Sequence, residues 1–422
     1  MSTVSPAANN NSDPRARWLV NLLGVGQLCG WGSLYYSFPL IAEGMSADLG
    51  WSKPGLYGAA TLGLLATALA AYPVGVAIDR GYGRQVMGFA AVLAGVLMVI
   101  WSQATNMLVF YAAVTLLGVA QAALLYESAF AVITRRVGPE RARSGITTLT
   151  LWGGFASTVF IPLIQWLLNH WGWREALLVL AGINALLCAG IYFYVIRPER
   201  DVLNAPEQEP AQQLTRNREA LHNALRQPVF WALLAALTTY AAMFSAFTYH
   251  MYPLFLERGL STTAVVQAIA LIGPAQVAGR IILGLFASRV PIRIVGTVIT
   301  LVFPLAFGAL ALFDADFLLV AMVCISYGCV NGIFTIVRGV AVPEMLSRHA
   351  YGAINGVITA PVFIAKAAAP LGAAALWTVG ESYDWVLVAI VALACVLAAS
   401  FALAAVLSHR HGRINTQGPK PC

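Results

Sequence analysis

Five ionisable side chains stand well inside long apolar stretches of this 422-residue chain: Glu127, His250, Arg280, Arg338 and Lys366. An ionised group in hydrocarbon costs at least about 2.5–3.5 kcal/mol on insertion scales, so each is a functional candidate by position alone. Lys366 lies near the middle of the apolar run 350–378, too deep for its stem to carry the ammonium easily to an interface. Arg280 lies past the middle of the run 261–287, and Gln276, one helical turn earlier, shares its face below Pro274. A guanidinium is a planar fork that grips a carboxylate with two hydrogen bonds. Two buried cations with no acid in their own half of the chain imply an anionic ligand, because unpaired charge is costly in apolar surroundings. Arg280 and Lys366 are therefore the expected substrate contacts, with Gln276 beside them.

The remaining candidates are graded by the same physics. Glu127 is the one carboxylate at such depth, placed either to neutralise a cation in the empty state or to carry a proton. Arg338 lies at a matching depth and is expected to pair with Glu127 across an inner gate when that gate is closed. His250 is a candidate for proton work, although a lone buried His is more often a satisfied structural residue. Phe363 precedes Lys366 by three residues and so shares its face, where its ring would shield a bound carboxylate. No set of His, Asp, Glu and Cys gathers at one depth as an enzyme or a metal site would need. No Gly-rich stretch ends in the Gly-Lys-Ser/Thr of an ATP-binding loop. Neither an enzyme nor a primary pump is expected, and no cofactor or metal is implied.

These residues sit in a chain that is 59% hydrophobic and 10% charged, against roughly a quarter charged in soluble domains. Mean hydropathy of +0.75 excludes a soluble enzyme, a DNA-binding module and a disordered protein. The net charge of +7 comes from basic residues in short gaps between apolar runs, not from one exposed face, so nucleic acid is not an expected partner. The lipid bilayer is. Runs long enough to cross it, about 20 residues each, fall near 18–43, 55–78, 86–104, 107–134, 144–168 and 175–197, then 228–255, 261–287, 293–313, 317–343, 350–378 and 384–407. Six cysteines show no paired spacing and imply no disulfide framework.

Orientation follows from Lys and Arg, which mark cytoplasmic loops. Lys53, Arg174 and Arg258 fall in the outer loops and Arg280, Arg338 and Lys366 inside spans, leaving 19 of the 25 basic residues on the side of the N-terminus. Both termini are thus expected in the cytoplasm of a cell-membrane protein. The halves also repeat: Tyr35 and Pro39 align with Tyr249 and Pro253, Phe155 and Pro162 with Phe363 and Pro370, Gly118 and Gln121 with Gly328 and Asn331. The expected architecture is all-α and integral to the membrane: twelve transmembrane helices in two six-helix bundles, related by a pseudo-two-fold axis along the membrane normal. The expected divisions are a tail (1–17), a bundle (18–197), a linker (198–227), a second bundle (228–407) and a tail (408–422). Lys366 and Arg280 break the repeat, their counterparts being Thr158 and Ala71.

The loop after the second run reads Gly75-Val76-Ala77-Ile78-Asp79-Arg80-Gly81-Tyr82-Gly83-Arg84, which resembles the loop signature of the major facilitator superfamily with one extra residue. The resemblance gives Asp79 and Arg80 a gating role: a tight turn in which Asp79 caps a helix or pairs with an Arg, latching the bundles. Within that superfamily, Gly30-Trp31-Gly32 to Phe38-Pro39, Gly279-Arg280 and Lys366 look like the monocarboxylate porters and the oxalate/formate antiporters. In the antiporters an Arg in span 8 and a Lys in span 11 bind a carboxylate among aromatic rings. Gln276 and Leu40 replace the Asp and Lys of the monocarboxylate porters, which tilts the likeness toward the antiporters. Spans 1, 4 and 5 line the cavity in these families, so Tyr35, Tyr126 and Trp152 join the expected substrate-binding set. What the resemblance implies is a monomeric secondary carrier of a small organic anion, using a proton or a counter-anion. The alternative is an exporter of drugs, metabolites or metalloids with the same fold, the last resting on Cys29, Cys324 and Cys329.

Overall fold

The computed structural model describes residues 14–201, 219, 221–286, 290–346 and 351–416; residues 1–13 and 417–422 of the expected tails and most of the expected linker lie outside the described residues. Among the described residues the regular structure is helical, with no strand. In hydrocarbon every backbone N–H and C=O must be satisfied within its own segment, which leaves an apolar chain little alternative. Ten stretches are long and apolar enough to cross a membrane. The stretch Lys53–Ser102 holds two helices that reverse at Gly81, where φ is 95°. With that stretch divided, and with the helix over 14–49 added, twelve spanning helices result.

They are α1 (14–49), α2 (Lys53–Ala77), α3 (Gly83–Ser102), α4 (107–137), α5 (139–171), α6 (173–195), α7 (Pro228–Glu257), α8 (262–286), α9 (Ile292–Leu312), α10 (Phe317–Met345), α11 (Tyr351–Gly380) and α12 (Tyr383–Thr416). Side-chain caps open several of them: Ser52 accepts from Gly55 N, Asn106 from Val109 N, Ser261 from Ala264 N and Asp316 from Leu319 N. Helix α1 continues past the expected end at residue 43, because Glu43 ends an apolar count but does not end a helix. It stops at Gly50, whose φ of 68° takes the left-handed cap.

Both halves pair their helices in the same way. α2 packs on α4 as α8 does on α10, α3 on α6 as α9 on α12, and α1 on α5 as α7 on α11. The repeat is visible in the glycines: a Cβ at Gly118 would collide with the Gly63 backbone, and one at Gly328 with the Ile272 backbone. Between the halves, the main seams are α2 against α11 and α5 against α8, which are equivalent under the repeat.

Taking the end from which α1 sets out as proximal, the distal end of the α2–α11 seam is closed. Tyr57 donates to the Tyr249 carbonyl at 3.0 Å and stacks on the His250 ring at 4.1 Å. Lys53 reaches the Tyr383 hydroxyl at 3.5 Å, lies 4.5 Å from the Trp377 ring centre, and pairs with Glu43 at 3.6 Å. At the proximal end Glu127 and Arg338 are exposed although each is near enough for its charge to act on Lys366. The molecule is closed distally and open proximally.

Among the described residues, five spanning helices depart from α geometry along their length. α1 has a π-helical turn at Trp31–Tyr36 and α6 one at Ile183–Cys188. α4 breaks at Leu125 (φ −85°, ψ −168°), α5 at Phe155 (ψ 0°) and α8 at Leu271 (ψ −19°). Such departures cost hydrogen bonds, and they concentrate at functional sites.

Candidate functional site

The π turn of α1 packs three aromatic side chains into six residues and sends them all to the interior. Trp31 and Tyr35 meet edge to face with centroids 5.1 Å apart, and Tyr35 meets Tyr36 at 5.7 Å. Tyr126, the first residue after the α4 break, lies 5.0 Å from Trp31, and Tyr249 of α7 lies 5.1 Å from Tyr35. Rings from both halves thus form one cluster. Lys366 of α11 enters it with Nζ 5.1 Å from the Tyr35 centroid and 5.8 Å from Trp31. An ammonium over aromatic faces gains about 2 kcal/mol when desolvated, less than a carboxylate would provide. All five ion pairs among the described residues lie elsewhere, so Lys366 holds its charge without a carboxylate partner.

Arg280 is fixed differently. It is 7% exposed; its Nη1 donates to the Thr150 carbonyl at 2.6 Å and its Nε to the Gly332 carbonyl at 3.3 Å. Thr150 lies about one turn before the end of the segment of α5 that stops at Gly154. An arginine of the second half therefore hydrogen-bonds a half-helix of the first near its end. Gly153 and Gly154 make the room: a Cβ on the former would overlap the Tyr126 hydroxyl, and one on the latter would press on Arg280 Nη1 at 3.4 Å. Thr158, the repeat counterpart of Lys366, extends this seam by donating to the Ala270 carbonyl at 2.8 Å. Gln276 is 6% exposed and its side chain lies beside the Tyr36 hydroxyl.

Of the expected substrate-binding set, Lys366, Tyr35 and Tyr126 come together, and Arg280 and Gln276 lie next to them around Tyr36 and Tyr126. Phe363 is half-buried and makes no ring pairing with that cluster among the described contacts. Trp152 turns away from it. Its Nε1 donates to Asn21 at 3.2 Å and its ring fills the space above Gly24 on α1.

The gating candidates also divide. Glu127 and Arg338 form no ion pair in this proximally open state. His250 is wholly buried, with Nδ1 3.0 Å from the Tyr383 hydroxyl and Nε2 2.9 Å from the Pro370 carbonyl, so both ring nitrogens are engaged in the distal seam. Asp79 does not latch the two bundles. Its carbonyl accepts from Arg135, and the carboxylate that pairs with Arg135, at 3.0 Å, belongs to Asp201. These contacts join the first half to the start of the linker, and the turn at Gly81 leaves the Asp79 and Arg80 side chains exposed. Burial raises the Asp201 carboxyl above the usual carboxylate range, with Arg135 drawing it back down.

Sequence reasoning did not place Trp31 and Tyr36 in this ring cluster, or see that Gly153-Gly154 leaves room for Tyr126 and Arg280. The adjacent small pair and the Gly30-Trp31-Gly32 run were the available signals.

Comparison with known proteins agrees with this architecture. The sequence profile of the Major Facilitator Superfamily matches residues 23–370. Monocarboxylate transporter 13 of Bos taurus is 31% identical over 39% of this chain and 37% of its own length. Monocarboxylate transporter 11 of Homo sapiens is 29% identical over 65% of this chain and 55% of its own. The matches thus span between about a third and a little over half of these relatives. Among solved structures, a bacterial homolog of the human lysosomal transporter Spinster, inward-facing and unoccupied, superposes with a TM-score of 0.70 at 14% identity, covering 94% of this chain and 98% of that one. The nucleoside transporter NupG gives 0.68 at 15% identity, covering 93% and 99%.

Proposed function

We propose, from the premise that this chain belongs to the Major Facilitator Superfamily, that it is a secondary transporter of a small organic anion, working by alternating access as a proton symporter or an anion exchanger. One observation carries the reading: Lys366 is a half-buried ammonium of the second half set over the Trp31 and Tyr35 rings of the first, in no ion pair among the described residues, with exposed Glu127 as the carboxylate whose charge reaches it. A substrate carboxylate at that point supplies the missing charge, and it touches α1 and α11 together. Neutralising Lys366 lowers the cost of closing apolar walls around it, so a loaded carrier closes more readily than an empty one. The monocarboxylate transporters among the relatives support an anionic substrate.

The units that rock are the bundles 18–197 and 228–407, acting in a single monomer. With the basic loops in the cytoplasm, the proximal end faces the cytoplasm and the structure is inward-open. Glu127 and Arg338 then stand on opposite sides of the open mouth and pair when it closes. The test is uptake into proteoliposomes of radiolabelled pyruvate, lactate, oxalate and succinate, with a pH gradient or with internal anion. Transport of at least one of them, lost in Lys366→Gln, is expected; if none moves under either condition, the reading fails.

A further inference from the structure

We propose that Trp31 binds the substrate directly, its indole Nε1–H donating to the same carboxylate that Lys366 holds; this rests on the anion-transport reading above. Trp31 Nε1 is buried and has no hydrogen-bond partner in the protein. A buried indole N–H ordinarily finds an acceptor, and leaving one unmade costs about 1–3 kcal/mol. Here the unpaired donor belongs to a ring whose centre is 5.8 Å from Lys366 Nζ. Two N–H···O bonds of about 2.9 Å and the width of one carboxylate span up to roughly 8 Å between nitrogens. One carboxylate group is wide enough to reach both the ammonium and the indole N–H.

The backbone is shaped for this donor. Trp31 opens the π turn, and the extra residue in that turn brings Trp31 and Tyr35 to the same side, where both rings face Lys366. Tyr126 closes the other face of Trp31 at 5.0 Å and fixes the plane of the indole. The ring is walled on two sides and its N–H is left over. Arg280, by contrast, has its Nε and Nη1 committed to backbone carbonyls. Trp31 Nε1 and the Tyr35 hydroxyl are the buried donors beside Lys366 without a partner in the protein, and of the two the indole can only donate, so it meets a carboxylate with no hydrogen bond broken.

Trp31→Phe keeps the aromatic wall and removes the donor. In proteoliposomes, for whichever of pyruvate and oxalate the wild type carries, this variant is expected to raise KM about tenfold to a hundredfold, as loss of a hydrogen bond to a charged group does. The maximum rate is expected to stay within about twofold. Trp31→His, which restores a ring N–H, is expected to recover part of the loss. A purely structural Trp31 would lower the maximum rate or the yield and leave KM unchanged, and that result would overturn the proposal. If Trp31→Phe does not fold, wild-type protein carrying 15N-labelled indoles decides. One of its eleven tryptophan N–H resonances should move downfield on adding the carried anion, and no movement refutes the assignment. If the carried anion depends on Lys366 but not on Trp31, this inference alone fails. If Lys366→Gln leaves carboxylate uptake intact, the transport reading fails and takes this inference with it.

Discussion

Lys366 and Arg280 are both cations in apolar surroundings, and their partners assign them different tasks. Lys366 faces rings and has no counter-charge; Arg280 is tied to two carbonyls on two helices. Lys366→Gln should therefore reduce carboxylate uptake at least about thirtyfold, the range seen when one member of a buried charge pair is removed, with little loss of thermal stability. Arg280→Gln should behave in the opposite way. Losing hydrogen bonds from a charged donor destabilises by about 1.5–3 kcal/mol each, so a drop in the melting temperature of purified protein is expected, and Arg280→Lys should not restore it because an ammonium cannot span both carbonyls. An unchanged melting temperature in Arg280→Gln would remove the strut role. Lys366 was legible in the sequence because depth in an apolar run is a matter of counting. The role of Arg280 was not: its partners are backbone carbonyls, and no residue type marks which carbonyl a distant side chain will reach. The same limit misplaced Trp152, since sequence spacing gives a helix face but does not say which neighbour covers it.

At the scale of elements, the broken helices concentrate the chemistry. The breaks at Leu125 and Phe155 bracket a helical hairpin, residues 126–154, whose arms touch where Tyr126 lies on Gly153. Neither break has a Gly or Pro at its centre, so apolar periodicity ran through both, and only the structure separates them. The π turn of α1 escaped notice although Gly30 and Gly32 mark its start, because the apolar and aromatic run continues through it. The span count was legible because hydropathy reports burial in lipid directly. Tight crossings are read from glycines, and they differ in tolerance. Gly118→Val places a side chain against the Gly63 backbone and should cost at least about 1–3 kcal/mol, visible as loss of the monodisperse peak in size-exclusion chromatography. Gly75→Ala, with open space around its Cβ, should behave as wild type. Equal behaviour of the two would mean that the α2–α4 crossing is looser than described.

At the scale of the whole molecule, the halves meet in a closed distal seam while Glu127 and Arg338 stand exposed toward the proximal end, which the proposed rocking cycle takes as one of its end states. The seam is built from polar contacts within an aromatic frame, in which Tyr57, His250, Tyr383 and Lys53 join the two halves. Tyr57→Phe should weaken the seam and raise labelling of a distal cysteine placed at position 53 by an impermeant thiol reagent, measured in a background lacking the native cysteines. The mouth makes a second demand. Glu127→Arg and Arg338→Glu should each impair transport, and the double exchange should restore a substantial part of it; a double variant no better than the singles would show that the two charges do not meet. The two-fold repeat anticipated the matched crossings within the halves, because Gly118 and Gly328 recur at matched positions. It could not anticipate which end is closed, since every conformation shares one sequence.

The central claim is that an anion completes the charge of Lys366, and calorimetric binding to purified protein tests it without requiring turnover. Pyruvate, lactate, oxalate and succinate are titrated in turn into wild type, Lys366→Arg and Lys366→Gln. The account predicts saturable binding of at least one carboxylate to wild type, weaker binding to Lys366→Arg, and none detectable to Lys366→Gln. Equal affinity in wild type and Lys366→Gln would contradict it.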